Sequence, residues 1–128
     1  MKTKKTILNK VWRSIKNHAD AVPLAFLFGS YAHDAQTPLS DIDLAFYFQN
    51  ISEDKKIEIE QEVSLLFDEP VHILRLEDED VSPVVRLEAV SGIPITPPDI
   101  DKLNDFILSI IHRAYEHKHL MDRLKKAA

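Results

Sequence analysis

Val22-Pro23-Leu24-Ala25-Phe26-Leu27-Phe28-Gly29-Ser30 and, ten residues further on, Asp41-Ile42-Asp43-Leu44-Ala45-Phe46-Tyr47-Phe48 are the two segments on which the fold turns. The first is a nearly continuous apolar run of strand length that stops at Gly29-Ser30. The second is an aromatic and apolar strand with an acidic start. Side chains alternate faces along a strand, so Asp41 and Asp43 point the same way while Ile42 packs into the core. Two carboxylates roughly 7 Å apart on one face repel each other when ionised, and a divalent cation held by hard oxygen ligands compensates best. With no thiols and few histidines nearby, Mg²⁺ or Mn²⁺ fits better than zinc. Gly29, lacking a Cβ, allows close approach of a ligand and frees its N–H for a phosphate oxygen. Ser30 adds a hydroxyl donor at the start of a helical turn, whose N-terminus favours anions. A phosphate cradle facing a carboxylate pair is the minimum apparatus for moving a nucleotidyl group from a metal–triphosphate. The plainer alternative is a polar turn whose Ser caps a helix and whose aspartates cap a loop. Acids are otherwise unfavourable at the head of an apolar strand, which argues for the functional reading.

Outward from this centre, Ile7, Leu8, Val11, Trp12 and Ile15 have the spacing of an amphipathic helix. The polar stretch Tyr31–Ser40 has room for one helical turn. Ser52-Glu53-Asp54 reads as a helix N-terminus, with Ile57, Val63, Leu65 and Leu66 following through Phe67. Val71–Leu76 reads as a third strand. Ser82-Pro83 fits an N-cap and first helical position for a short helix through Val90, with Gly92 as its left-handed stop. Ile93-Pro94-Ile95 suits an edge strand, where proline is tolerated. Pro97-Pro98 then precede Leu103, Phe106, Ile107, Ile110, Ile111 and Ala114, the stripe of a long C-terminal helix. The expectation is an α/β (α+β) fold with a small mixed sheet of three or four strands flanked by helices. A single domain over residues 1–128 is expected, with a core at about 20–96 and a helical C-terminal segment at about 98–126.

Composition sets bounds on this reading. The chain has 128 residues, with 45% apolar and 29% charged side chains and no cysteine. That is enough to bury a core without disulfides or structural zinc, and it leaves no thiol for catalysis. No apolar run approaches the ~20 residues needed to span a bilayer, and Met1–Lys5 is not followed by a secretory apolar region, so a cytoplasmic location without a membrane is expected. The net charge of −5 is uneven. Met1–Asn17 carries six bases and no acid, Glu53–Asp80 eleven acids and three bases, and His112–Ala128 five bases and two acids. Direct nucleic-acid binding through a uniformly basic surface is not expected. Only two glycines occur, where average usage of about 7% gives roughly nine, so each should sit where a Cβ does not fit.

Phe28-Gly29-Ser30-Tyr31-Ala32 with Ser40-Asp41-Ile42-Asp43-Leu44-Ala45 resembles the signature of the minimal nucleotidyltransferases, the small branch of the DNA polymerase beta-like superfamily. Val71–Leu76 and Val84–Gly92 resemble that family's later segments, more weakly. The resemblance implies the polymerase beta-like fold, ATP as substrate with Mg²⁺, and attack on the α-phosphate with loss of pyrophosphate. By the family's pattern Gly29 and Ser30 hold the triphosphate, and Asp41 and Asp43 bind metal as catalytic carboxylates. It also implies a partner. Many such proteins are antitoxins encoded beside a HEPN-domain ribonuclease toxin, which they silence by adding AMP to one of its tyrosines, in a hetero-oligomer.

Two positions depart from the family's pattern. Asp34 stands where relatives usually have glycine, and Asp tolerates left-handed geometry better than most residues. In Val71-His72-Ile73-Leu74-Arg75-Leu76, His72 stands where the third carboxylate of the family is expected, unless Asp68, Glu69 or Glu77 supplies that acid. A neutral His can act as a base but brings no negative charge to the cations. Two further readings therefore stand beside the enzyme: a weakened or inactive module that neutralises a HEPN partner by binding alone, and a small-molecule adenylyltransferase. The second lacks the extra helical domain that such relatives use to hold the acceptor. Arg86 is a candidate for the triphosphate, or for an ion pair with Glu88 or Asp80. His33 is a further candidate near phosphate. His112, His117 and His119 lack the consistent spacing of a zinc site.

Overall fold

The computed structural model describes residues 3–97 and 99–127; Met1, Lys2, Pro98 and Ala128 lie outside the described residues, and with them part of the basic N-terminal stretch and the second proline of the Pro97-Pro98 pair expected before the last helix. Helix α1 (Lys4–Ile15) begins where the Thr3 hydroxyl accepts the Thr6 N–H at 3.2 Å, and it buries Ile7, Val11 and Ile15. Strand β1 (Leu24–Phe28) runs without a break into α2 (Gly29–Ala32), and β2 (Ile42–Tyr47) follows. Ser52 caps α3 (Glu53–Ser64) through its hydroxyl, with Glu53 and Asp54 in the first turn favouring the positive end of the helix dipole. Strand β3 (Val71–Arg75), helix α4 (Pro83–Val90), the two-residue strand β4 (Ile93–Pro94) and the long helix α5 (Ile100–Ala127) complete the chain. Proline opens α4 at a position where its missing N–H costs nothing.

The sheet is mixed, in the order β3-β2-β1-β4. β1 is antiparallel to both β2 and β4, whereas β2 and β3 are parallel and joined through α3. A parallel neighbour demands such a crossover, and it places α3 across one face of the sheet. On that face Ile42, Leu44 and Phe46 of β2 pack with α1 and with Ile59 and Val63 of α3. On the other, Ala45, Leu24 and Phe26 pack with Ala89 of α4 and with Phe106 and Ile110 of α5. Strand alternation assigns Asp43 to this second face, together with Ala45 and Tyr47.

Both glycines sit where a Cβ does not fit, for different reasons. Gly29 has φ +73 and is the only one of the two with positive φ. Gly92 is therefore not the left-handed stop that its place after α4 suggested. A Cβ there would lie 2.2 Å from the Leu27 carbonyl oxygen, so its role is close approach, letting β4 reach β1 at the Leu27–Ile93 pair. Asp41 was expected within the strand but lies one residue before β2. Asp34 does take the left-handed conformation, with φ 54, in the turn after α2.

Candidate functional site

The candidate site is built where β1 ends and β2 begins. Antiparallel register sets Phe28 opposite Asp43, so the chain turns into α2 at Gly29 directly beside that aspartate. The fit is tight: a methyl on Gly29 would sit 2.3 Å from Asp43 Oδ2 and 3.1 Å from its Cγ. Phe28, as the residue before α2, offers no side-chain cap, so the first N–H groups of this turn have no side-chain acceptor. Ser30 is the second residue of the turn, and its carbonyl accepts the N–H groups of His33 and Ala35 at 3.2 and 2.9 Å. These bonds close the loop that Asp34 enters with positive φ. Lys4 of α1 reaches back to Asp34 at 3.1 Å, a link between the basic N-terminal helix and this turn that sequence spacing did not reveal.

The parallel register pairs Asp43 with His72, and the His72 Nε2 lies 3.1 Å from Asp41 Oδ2. The three residues thus lie at one end of the sheet, with His72 in contact with Asp41. Of the other acids considered for the third position, Glu77 accepts the Phe48 N–H at 3.0 Å and pairs with Lys56 at 3.1 Å, beyond the far end of β3. Asp68 and Glu69 line a separate hollow of about 320 Å³ with Pro38, Leu39 and Ser40.

Burial pushes the Asp43 carboxyl above the ordinary carboxylate value; His72 pulls it back, and the negative charges of Asp41 and Glu88 push it up again. Glu88, on α4, is an electrostatic member of the site that sequence reading considered only as an ion-pair partner for Arg86. A half-buried carboxylate repelled by two others is a group in want of a cation. The donors are hard oxygens with one imidazole at the edge, which suits Mg²⁺ or Mn²⁺. Among the described residues no group of three or more His, Cys, Asp or Glu is gathered as a ready metal cage. Mg²⁺ commonly completes its octahedron with water and substrate phosphate, so a two-carboxylate site facing a phosphate cradle fits it.

A sequence model of the polymerase beta nucleotidyltransferase family matches residues 9–101, which include α2, all four strands and every residue of this site. The chain belongs to that family. No curated protein matches it significantly. Solved structures share the nucleotidyltransferase fold over nearly the full chain. One is a toxin–antitoxin complex with AMP-PNP, with TM-score 0.69 and 22% identity over 92% of this chain and 98% of that chain. Another is the MntA–HepT toxin–antitoxin complex, with TM-score 0.64 and 20% identity over 95% and 99%. A third is a tri-AMPylated Shewanella oneidensis HEPN toxin in complex with an MNT antitoxin, with TM-score 0.64 and 20% identity over 94% and 98%. At these identities the likeness is one of fold.

Arg86 is not brought to the carboxylates. A helical side chain leans toward its helix N-terminus, and Arg86 lines a cavity with Tyr47 and Leu76, at the end of β2 away from Asp43. It is buried and forms no ion pair with Glu88 or Asp80 among the described residues. His33 is exposed beside the turn. No helix among the described residues is long and apolar enough to cross a membrane.

Proposed function

We propose that this nucleotidyltransferase is an antitoxin that transfers AMP from ATP to a tyrosine of a cognate HEPN ribonuclease toxin and so neutralises it, in the cytoplasm. The observation that carries the catalytic part is the packing of the Asp43 carboxylate against Gly29 at the opening of α2, with Asp41 beside it. The protein partner is supported by the toxin–antitoxin complexes that share the fold and by α5, whose Leu108, Ile111, Tyr115, Leu120, Met121 and Leu124 are exposed. Apolar side chains repeated along one helix suit a protein surface better than a small acceptor.

Gly29 and the Ser30 hydroxyl hold the triphosphate, and Asp41 and Asp43 hold the metal. When bound, Mg²⁺ held by Asp41 and Asp43 would supply charge neutralisation for the phosphates. The tyrosine oxygen forms a bond to the α-phosphorus, the bond from that phosphorus to the bridging oxygen breaks, and pyrophosphate leaves. His72, whose Nε2 lies 3.1 Å from Asp41 Oδ2, is the side chain placed to take the hydroxyl proton, the part that the family resemblance gives to a third carboxylate. Incubation with ATP labelled at the α-phosphate, Mg²⁺ and the protein encoded next door tests this reading. Label is expected on the partner and is expected to vanish in Asp41→Ala and Asp43→Ala.

The second reading, neutralisation by binding alone, draws on the absence of a three-ligand cluster among the described residues. It requires a tight, unlabelled complex that survives Asp43→Ala.

A further inference from the structure

The cavity at the far end of β2 has no part in the chemistry above. It measures about 100 Å³ and is walled by β2, α4 and α5, with Tyr47, Glu77, Glu79, Arg86, Ser109 and Arg113 among its lining residues. Arg86 is 5% exposed, and its Nε is buried with no hydrogen-bond partner among the described residues. A guanidinium keeps its charge, and a buried N–H of a charged group left without an acceptor is unfavourable. The two acids on the walls are already engaged. Glu77 accepts from the Phe48 N–H and from Lys56, and Glu79 is held by Arg113. Glu79 feels the field of Arg86, but less than that of Arg113. Lys56, Arg86 and Arg113 against Glu77 and Glu79 leave one positive charge over, and that charge belongs to the most buried of the five.

We propose that this cavity is an oxyanion site, taking one phosphate group between the Arg86 guanidinium and the polar wall of Tyr47 and Arg113. The volume corresponds to roughly three waters at ~30 Å³ each, enough for one small anion. It is below the ~300 Å³ at which ligand pockets begin, so a nucleotide does not fit inside. A second hollow of about 220 Å³ shares Tyr47, Phe106 and Ser109 with it and is lined by Lys102, whose ammonium stands 5.2 Å from the Tyr47 ring centroid. Asp105 lines that hollow as well, so it carries one acid and one base and supplies space, rather than charge, for whatever carries the phosphate. The shared chemistry has two sources, free phosphate and the terminal phosphate of a larger molecule. The site lies at the opposite end of β2 from Asp43, four residues or roughly 13 Å along the strand, and does not depend on the nucleotidyl-transfer reading.

Titration of the full chain with inorganic phosphate, and in a second arm with ribose 5-phosphate, at constant ionic strength tests the proposal through the arginine Nε–H signals in NMR. The Arg86 signal, assigned by its loss in Arg86→Met, is expected to shift and saturate at millimolar ligand, and the arm that saturates earlier identifies the source. In a chloride buffer, Arg86→Met is expected to melt at or above the wild-type temperature. Wild type should gain several degrees on adding phosphate, and the variant should gain none. An Arg86 signal that neither ligand moves overturns the proposal, as does the same phosphate-dependent gain in both proteins. If Arg86→Met does not fold, the wild-type titration with Arg113→Gln still decides: the phosphate shift is expected to weaken severalfold there, and an unchanged affinity counts against the site.

Discussion

The Asp43 carboxylate rests on the Cα of Gly29, closely enough that a methyl group there would overlap Oδ2 at 2.3 Å. The two residues belong to different strand ends, and the antiparallel β1–β2 register brings them together. This contact joins the turn proposed to hold phosphate to the strand proposed to hold the metal, and it can be tested from both sides.

Gly29→Ala faces two penalties. Positive φ costs a non-glycine residue roughly 1–2 kcal/mol, and relief of the overlap displaces the carboxylate. Denaturant melts should show a loss of about 2–3 kcal/mol, the upper part coming from the clash. In an Asp43→Ala background, where Oδ2 and Cγ are gone, the cost should fall to the φ contribution alone. A cycle in which the two changes simply add refutes the coupling.

Asp43→Asn should stabilise the metal-free chain at neutral pH while abolishing transfer. The folded state raises the Asp43 pKa above its ordinary 3.8, so ionising this group disfavours folding. Between 3.8 and the raised value the native chain holds more protons than the unfolded one, and this group makes stability fall as pH rises. Above that window the whole penalty is present, and below about 3.8 it disappears. Melting curves of both proteins across this range should therefore converge at low pH and separate, with the variant higher, toward neutrality.

His72→Asp adds a negative charge beside Asp43 and Asp41. Mn²⁺ affinity, read by its effect on water relaxation, should rise by roughly tenfold, the scale on which a metal site answers to a neighbouring group. At low salt the apo variant should be less stable than wild type. Unchanged metal affinity would mean that His72 does not occupy the third position.

Asp34→Gly weighs strain against an ion pair. An Asp at φ 54 gives up roughly 1 kcal/mol relative to glycine, whereas the exposed pair with Lys4 contributes about 0–1 kcal/mol. The variant should be equal to wild type or up to about 1 kcal/mol more stable at moderate salt. Lys4→Ala alone should move the melting temperature little. A clear loss in Asp34→Gly would show that the carboxylate does more in this turn than pair with Lys4.

Glu60→Gln probes the frame that holds β3. Arg75 makes two bonds to Glu60, at 2.6 and 3.2 Å, and one to Glu53 at 2.6 Å, tying β3 to α3 three residues beyond His72. These partners raise the Arg75 pKa further above its already high ordinary value. Loss of the charged partner should cost about 1–2 kcal/mol by denaturant titration, more than an exposed pair, because both side chains are mostly buried.

Local pattern was enough for the elements and for the motif. The apolar run before Gly29-Ser30, the acid-led strand from Asp41, the Ser52 cap and the spacing of Ile7, Val11 and Ile15 each depend on a few neighbouring residues, and all are read directly from the chain. The left-handed turn at Asp34 belongs with them, because it follows from what one residue type tolerates. What only the tertiary structure decided is non-local. A one-residue slip of β3 against β2 would send His72 to the opposite face, so its place beside Asp43 is a property of register. Gly92 resembles a helix stop until the Leu27 carbonyl is found against it. Arg86 resembles a ligand for the triphosphate at the carboxylates until α4 places it at the other end of the strand, in a cavity where its Nε has no hydrogen-bond partner among the described residues. Each depends on which surface packing brings alongside, and no local pattern of residues carries that information.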